Sequence, residues 1–340
     1  MKKFFTLGLL VFLTYSSCNA QNYKIIQKFS VPGDNWWDYL NLDENSGRLF
    51  ISHGDQTQVI DKNNGKLLGT IPNTPGVHGI AFDASQNKAF ITCGGDNSVR
   101  VVNLKTLDLL DNIKIEGENP DAILYDDFSD RIFVYNGRSN DATVINPNTN
   151  KVVATIPFEG KPEASATDHQ GKVYINIEDK SLIDVIDTKT MKVVNSWSVS
   201  PGEEPSGLAL DTKTNRLFSV CANKKMVILD SRSGKLISTL DTGAGTDGCV
   251  FDSELNRAYS SNGEGTLTMV QEENANSFKV IANVQTQPGA RTICLDTKTH
   301  HLYLSTAAYG PAPEPSTENP HPRRPISPGT FTILDIAPVN

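Results

Sequence analysis

Along most of the chain, large apolar residues stand at alternating or successive positions in runs of five or six, separated by clusters rich in Asp, Asn, Gly and Thr. Runs such as RLFIS, KAFIT, RIFVY and KVYIN have the length and β-branched content of strands, and the intervening clusters have the composition of tight turns. No long stretch of 3.6-residue periodicity competes with them.

The runs repeat. An apolar stretch, an Asp, a short polar turn and a strand recur as NLDENSGRLFIS, AFDASQNKAFIT, LYDDFSDRIFVY, ATDHQGKVYIN, ALDTKTNRLFSV, VFDSELNRAYSS and CLDTKTHHLYLS. The aspartates are Asp43, Asp83, Asp126, Asp168, Asp211, Asp252 and Asp296, spaced 40 to 44 residues apart. Hairpin patterns such as VIDKNNGKLLGTI and VINPNTNKVVATI interleave with these copies, so each unit holds four strands, a to d. Four strands at that period, seven times over, predict an all-β fold: a seven-bladed β-propeller of four-stranded antiparallel blades. Seven symmetric aspartates serve the fold, their side chains holding turn N–H groups. The seventh copy offers strands a (near Thr292 to Leu295), b (His301 to Ser305) and c (Thr330 to Leu334) but has no room for a fourth. The run Lys24 to Phe29 resembles a d strand, so the segment 22–30 is expected to complete blade seven and close the ring.

The b strands, each following an Asp and a turn and preceding VID or VIN, resemble those of the YVTN-repeat family of seven-bladed propellers, whose best-known group is the YncE-like envelope proteins. Motifs such as GVHGIAFD, NPDAILYD and EEPSGLALD add to the resemblance, which spans residues 21–340. It implies an extracytoplasmic propeller that binds a ligand or partner, without a shared reaction. The GH…WD pair of WD-repeats is missing, the Gly doublets of kelch repeats are reduced to Gly94-Gly95, and the per-blade tryptophans of quinoproteins are absent. No quinone, haem or nucleotide cofactor is expected.

Lys2 and Lys3, the apolar run Phe4 to Leu13 and the small-residue end Cys18-Asn19-Ala20 read as a secretory signal peptide over residues 1–20. An alternative is a lipoprotein acylated at Cys18. Either route places the chain in the periplasm or at the cell surface. Removing the leader leaves 29 basic against 39 acidic residues, a net charge of −10, which disfavours nucleic acid as a partner. No later apolar run is long enough to span a membrane. Cys93, Cys221, Cys249 and Cys294 lie in different blades without metal-binding or haem-binding spacing, so free thiols are expected despite export.

Function should sit where the copies diverge. Five residues before each turn aspartate stand Asp38, His78, Asp121, Glu163, Ser206, Asp247 and Arg291, a ring expected around one mouth of the axial channel. Ten residues after it stand His53, Cys93, Asn136, Cys221, Asn262 and Thr306, with Ile177 in blade four, expected on the same face. His53, His78, Asp38 and Asp121 then form a candidate site for a divalent metal. Glycines beside the ring (Gly79, Gly207, Gly248) allow tight packing near the axis. His169, His300 and His301 fall in turns on the far face. The segment 307–329 carries seven prolines between strands b and c of blade seven. It is long enough to bring Tyr309, His321, Arg323 and Arg324 to the mouth. Two functions follow: a monomeric binding protein recognising a small molecule, metal or protein at the mouth, or a lactonase-like, metal-assisted hydrolase or lyase with His78 or Glu163 as acid or base. A solvated structural ring is the alternative to both.

Overall fold

A computed structural model of the chain describes residues 22–314, 316, 322 and 324–339. These residues form seven four-stranded antiparallel sheets. Six blades take their strands consecutively from the chain. The seventh joins Ile293–Asp296, His301–Thr306 and Thr332–Val339 to the segment Asn22–Ser30. The closing pair runs from Asn22 opposite Val339 to Ser30 opposite Thr332. Strand c of blade seven starts and ends later than the repeat predicts, and so takes up the residues after Leu334.

The burial pattern follows position within the blade. Strand b is buried almost throughout, as in Arg131–Asn136, whereas strand d, as in Leu109–Lys114, is largely exposed. Strand b has sheet neighbours on both edges and a blade against each face; strand d is the outer rim. The apolar cores accordingly lie between blades. Trp37, Leu40 and Ile51 of blade one, for example, pack with Phe331, Ile333 and Tyr303 of blade seven. In six blades the c–d pairing shifts register at the same place, as between Val101 and Val102. Such bulges deepen the twist of the blade.

The turn aspartates do what their symmetry implies. Asp83 accepts from the Gln86 N–H and the Ser85 hydroxyl, and Asp211 from the N–H groups of Lys213 and Thr214. All four described cysteines are free thiols. Burial pushes Cys93, Cys221 and Cys294 up to about 12. Among the described residues no helix is long and apolar enough to cross a membrane. The leader and Cys18 lie outside the described residues.

Candidate functional site

Each blade enters strand a with the same irregularity. The sixth residue before the turn aspartate pairs with the end of strand b (Trp37 with His53, Val77 with Cys93, Pro120 with Asn136), and pairing resumes two or three residues later. The fifth and fourth residues are thereby released from the ladder, and their backbone groups need other partners. The buried b strands supply them. Thr92 accepts from the Gly79 N–H at 2.7 Å and donates to the Asp121 carbonyl at 2.6 Å. Ser261 donates to the Arg291 carbonyl, and Asn176 to that of Ser206 at 2.9 Å. Thr292 holds the Asp38 carbonyl at 2.8 Å. Most mouth residues are thus anchored by a side chain of the preceding blade. Blades must approach closely for this: a Cβ on Gly207 would sit 2.6 Å from the Asp247 carbonyl oxygen.

Below the mouth lies an axial cavity of about 190 Å³ to which every blade contributes. The fourth residues before the turn aspartates line it: Tyr39, Gly79, Ala122, Ala164, Gly207, Gly248 and Thr292. Six are small, and Tyr39 fills the space they leave. From blade one it reaches across the axis to pack against the cluster holding Ala122 and Ile175. Burial, then the charges of Glu163, Asp121, Asp38 and Asp247, hold its phenol well above the usual tyrosine range. Tyr39 is the floor of an acidic cup.

The cup is a chain of ion pairs. Arg291 contacts Asp247 directly and reaches Asp38 at 3.4 Å. Asp38 bonds the Nδ1 of His78 at 2.7 Å, and the same nitrogen lies 3.6 Å from Asp121. Across the ring, Lys161 contacts Glu163 directly and Glu178 at 2.5 Å. Burial pushes Asp121 and Glu163 up from the ordinary carboxylate range, and neighbouring charge adds to it, from Asp38 in one case and Asp121 in the other. Burial likewise raises Asp247, against the pull of Arg291. For His78 burial alone would lower the pKa, but the hydrogen bond to Asp38 and the charge of Asp121 outweigh it and raise it.

Ligand atoms of Asp38, His78 and Asp121 all lie within 4.8 Å of one another, a spacing and donor set that suit a divalent cation. His53 is not among them. Residues opposite one another on antiparallel strands share a face, so His53 follows its partner Trp37 away from the axis. It is buried against Phe331, ring centroids 4.0 Å apart, with Nδ1 on Gln58 at 2.7 Å and Nε2 on the Asn35 carbonyl at 3.0 Å. The other strand-b ends, Cys93, Asn136, Ile177, Cys221, Asn262 and Thr306, are buried too, and the expectation that they reach the mouth does not hold. Ser206 is also turned inward, its hydroxyl on the Thr246 carbonyl at 3.2 Å.

At the far face His300 and His301 are half-buried, their Nδ1 atoms on Asp252 at 2.7 Å and Asp335 at 2.8 Å; His169 is exposed beside Asp127. In blade seven the proline-rich segment is zipped at its base by the Tyr309–Ile326 bridge and by the Gly310 N–H on the Pro325 carbonyl at 2.8 Å. Tyr309 lies over Gly289, where its hydroxyl would meet an added Cβ at 2.3 Å. Arg324 turns back on this segment, Nε to the Gly310 carbonyl at 2.8 Å, and not to the carboxylates. His321 and Arg323 lie outside the described residues. The sequence reading missed Tyr39, Lys161 and Glu178. The first was marked by one large residue in an otherwise small ring, the other two by nothing periodic.

Seven four-stranded blades around a polar mouth make the protein a seven-bladed β-propeller. No family model matches the chain, and no curated protein does. Among solved structures, a chain of the crystal structure of the mitotic checkpoint complex superposes with a TM-score of 0.76 over 100% of this chain and 99% of that one, at 9% identity. Matches extend to 1848 chains, so the likeness speaks to fold alone.

Proposed function

We propose that the protein is an exported binding protein of the YVTN-repeat type that recognises a cationic ligand at the acidic mouth of its axial channel. The observation that carries this reading is the charge balance of the cup. Asp38, Asp121, Glu163, Glu178 and Asp247 face only Arg291, Lys161 and one shared imidazole. Confined carboxylates left without a full set of partners favour a cation. The leader and the repeat resemblance support export.

The test is thermal unfolding of the mature protein with Mn²⁺, Ca²⁺, Zn²⁺ or methylammonium. At least one should raise the midpoint saturably; a hundredfold excess over Kd stabilises by about 2.7 kcal/mol. The shift should vanish in Asp121→Asn and persist in far-face His300→Ala. A parent protein that none of these cations moves, or an equal shift in Asp121→Asn, would sink the reading.

The Asp38–His78–Asp121 grouping favours a second reading, a metal-assisted hydrolase or lyase. A divalent cation held there would polarise a carbonyl or activate water. Glu163, its pKa raised by burial, would hold or release the proton. One metal per chain, lost on joint His78→Ala and Asp121→Ala substitution, supports this reading; metal-free protein that still binds methylammonium excludes it.

A further inference from the structure

The rim outside the cup is built from the seventh residues before the turn aspartates: Trp36, Gly76, Asn119, Lys161, Glu204, Gly245 and Gly289. Five of them, Gly76, Asn119, Glu204, Gly245 and Gly289, take the left-handed conformation, with φ between 49° and 86°. Trp36 and Lys161 are the two that do not. In blade four the departure from the common turn accompanies an ammonium group that reaches the mouth carboxylate Glu163. In blade one the corresponding residue is an indole.

Trp36 is 44% exposed, although it is large and apolar. It stands on a fixed aromatic base, 6.0 Å from the Trp37 ring and 6.3 Å from the Tyr309 ring. Trp37 is itself buried against Phe331, and Tyr309 is held from the other side by Arg324, 5.7 Å from its centroid. The indole is therefore presented on an ordered support. It lies two residues, at most about 7 Å of backbone, from Asp38 in the cup. Tyr309 is near enough to Arg291 for the guanidinium to oppose, though not outweigh, the rise that burial gives its phenol. Aromatic shelf and ion-pair chain are thus parts of one mouth.

We infer that Trp36 is the aromatic wall of the mouth site and that the ligand is an organic cation: an ammonium or amidinium head among the carboxylates and a flat or apolar body against the indole. The inference rests on the cationic-mouth reading and narrows it. Charge complementarity selects the head, because Arg291 is already engaged by Asp247 and Asp38 while Asp121 has only its share of His78. An exposed indole on a rigid base binds cations and planar groups through its π-face, without ordering first.

The experiment compares phenethylammonium with methylammonium by calorimetry and tryptophan fluorescence, in the parent, Trp36→Ala, Trp36→Phe and Asp121→Asn. Phenethylammonium should bind the parent at least tenfold more tightly than methylammonium, and Trp36→Ala should remove about that factor. Trp36→Phe should restore most of it, and methylammonium should be indifferent to both. Asp121→Asn should weaken both amines. If phenethylammonium gains nothing over methylammonium, or Trp36→Ala leaves its affinity unchanged while Asp121→Asn lowers it, the aromatic wall is wrong and the acidic mouth stands. If neither amine binds the parent, both fail. Because Trp36 is exposed, unchanged melting of Trp36→Ala separates lost affinity from lost fold.

Discussion

Removing the Thr92 hydroxyl with little change of shape, as in Thr92→Val, tests the anchoring that positions the mouth. Thr92 is fully buried, and its oxygen serves the Gly79 N–H and the Asp121 carbonyl at once. Valine fits the space but leaves both backbone groups dry and without that partner. Each buried group left unpaired costs about 1 to 3 kcal/mol, and the added methyl returns about 1, for a net loss near 3 kcal/mol. With an unfolding entropy of about 2.1 cal/mol/K per residue over roughly 320 residues, the melting midpoint should fall by about 4 to 5 °C. Urea unfolding followed by tryptophan fluorescence should show a lower midpoint at unchanged slope. Thr92→Ser keeps the hydroxyl and should lose less than half as much. Cation affinity should fall only in the valine variant, because Asp121 hangs from the carbonyl that Thr92 holds. A valine variant within about 0.5 kcal/mol of the parent, with unaltered cation binding, would refute the anchoring argument.

Deleting residues 22–30 should expose the edge of Thr332–Val339, abolish cooperative unfolding and cause aggregation; light scattering and a urea titration decide it, and unchanged melting would contradict ring closure. Mature protein should yield four thiols to a titrant after denaturation without reductant and almost none before it, since Cys93, Cys221 and Cys294 are buried; two or fewer after denaturation would contradict the blade packing. The raised pKa of Asp121 means that the folded state holds its proton longer than the unfolded chain does. Its ionisation therefore removes stability as pH rises from the ordinary carboxylate range through the raised value. In chelator-treated buffer, Asp121→Asn should gain stability relative to the parent between pH 4 and pH 8; urea midpoints that draw no closer, or that separate the other way, would reverse that sign.

The blades were legible because seven copies of one pattern average out local ambiguity, and because Asp43 and its six counterparts mark the register without a gap. That same register identified Asp38, His78 and Asp121 as neighbours. It misled at His53, where counting along the strand located the residue but not its face: pairing with Trp37 turned it into the blade-one core. Lys161 escaped notice because its importance lies in a side chain long enough to cross two residues of rim, which no spacing records. Tyr39 was readable, as the one bulky member of a ring of Gly, Ala and Thr, but only once that ring was known to line the axis.

The pairing of Asn22–Ser30 with Thr332–Val339 has a temporal consequence. The strand that completes the last blade is the first to be synthesised, and its partner is the last. Six blades can form from neighbouring sequence, but the ring cannot shut until about three hundred further residues have emerged, and so long-range a contact is slow to form. Until then the chain carries an unfinished sheet with an open edge. For a polypeptide bound for export that delay is an asset: a fold that cannot lock before its final strand arrives stays threadable through a membrane for as long as it is being made.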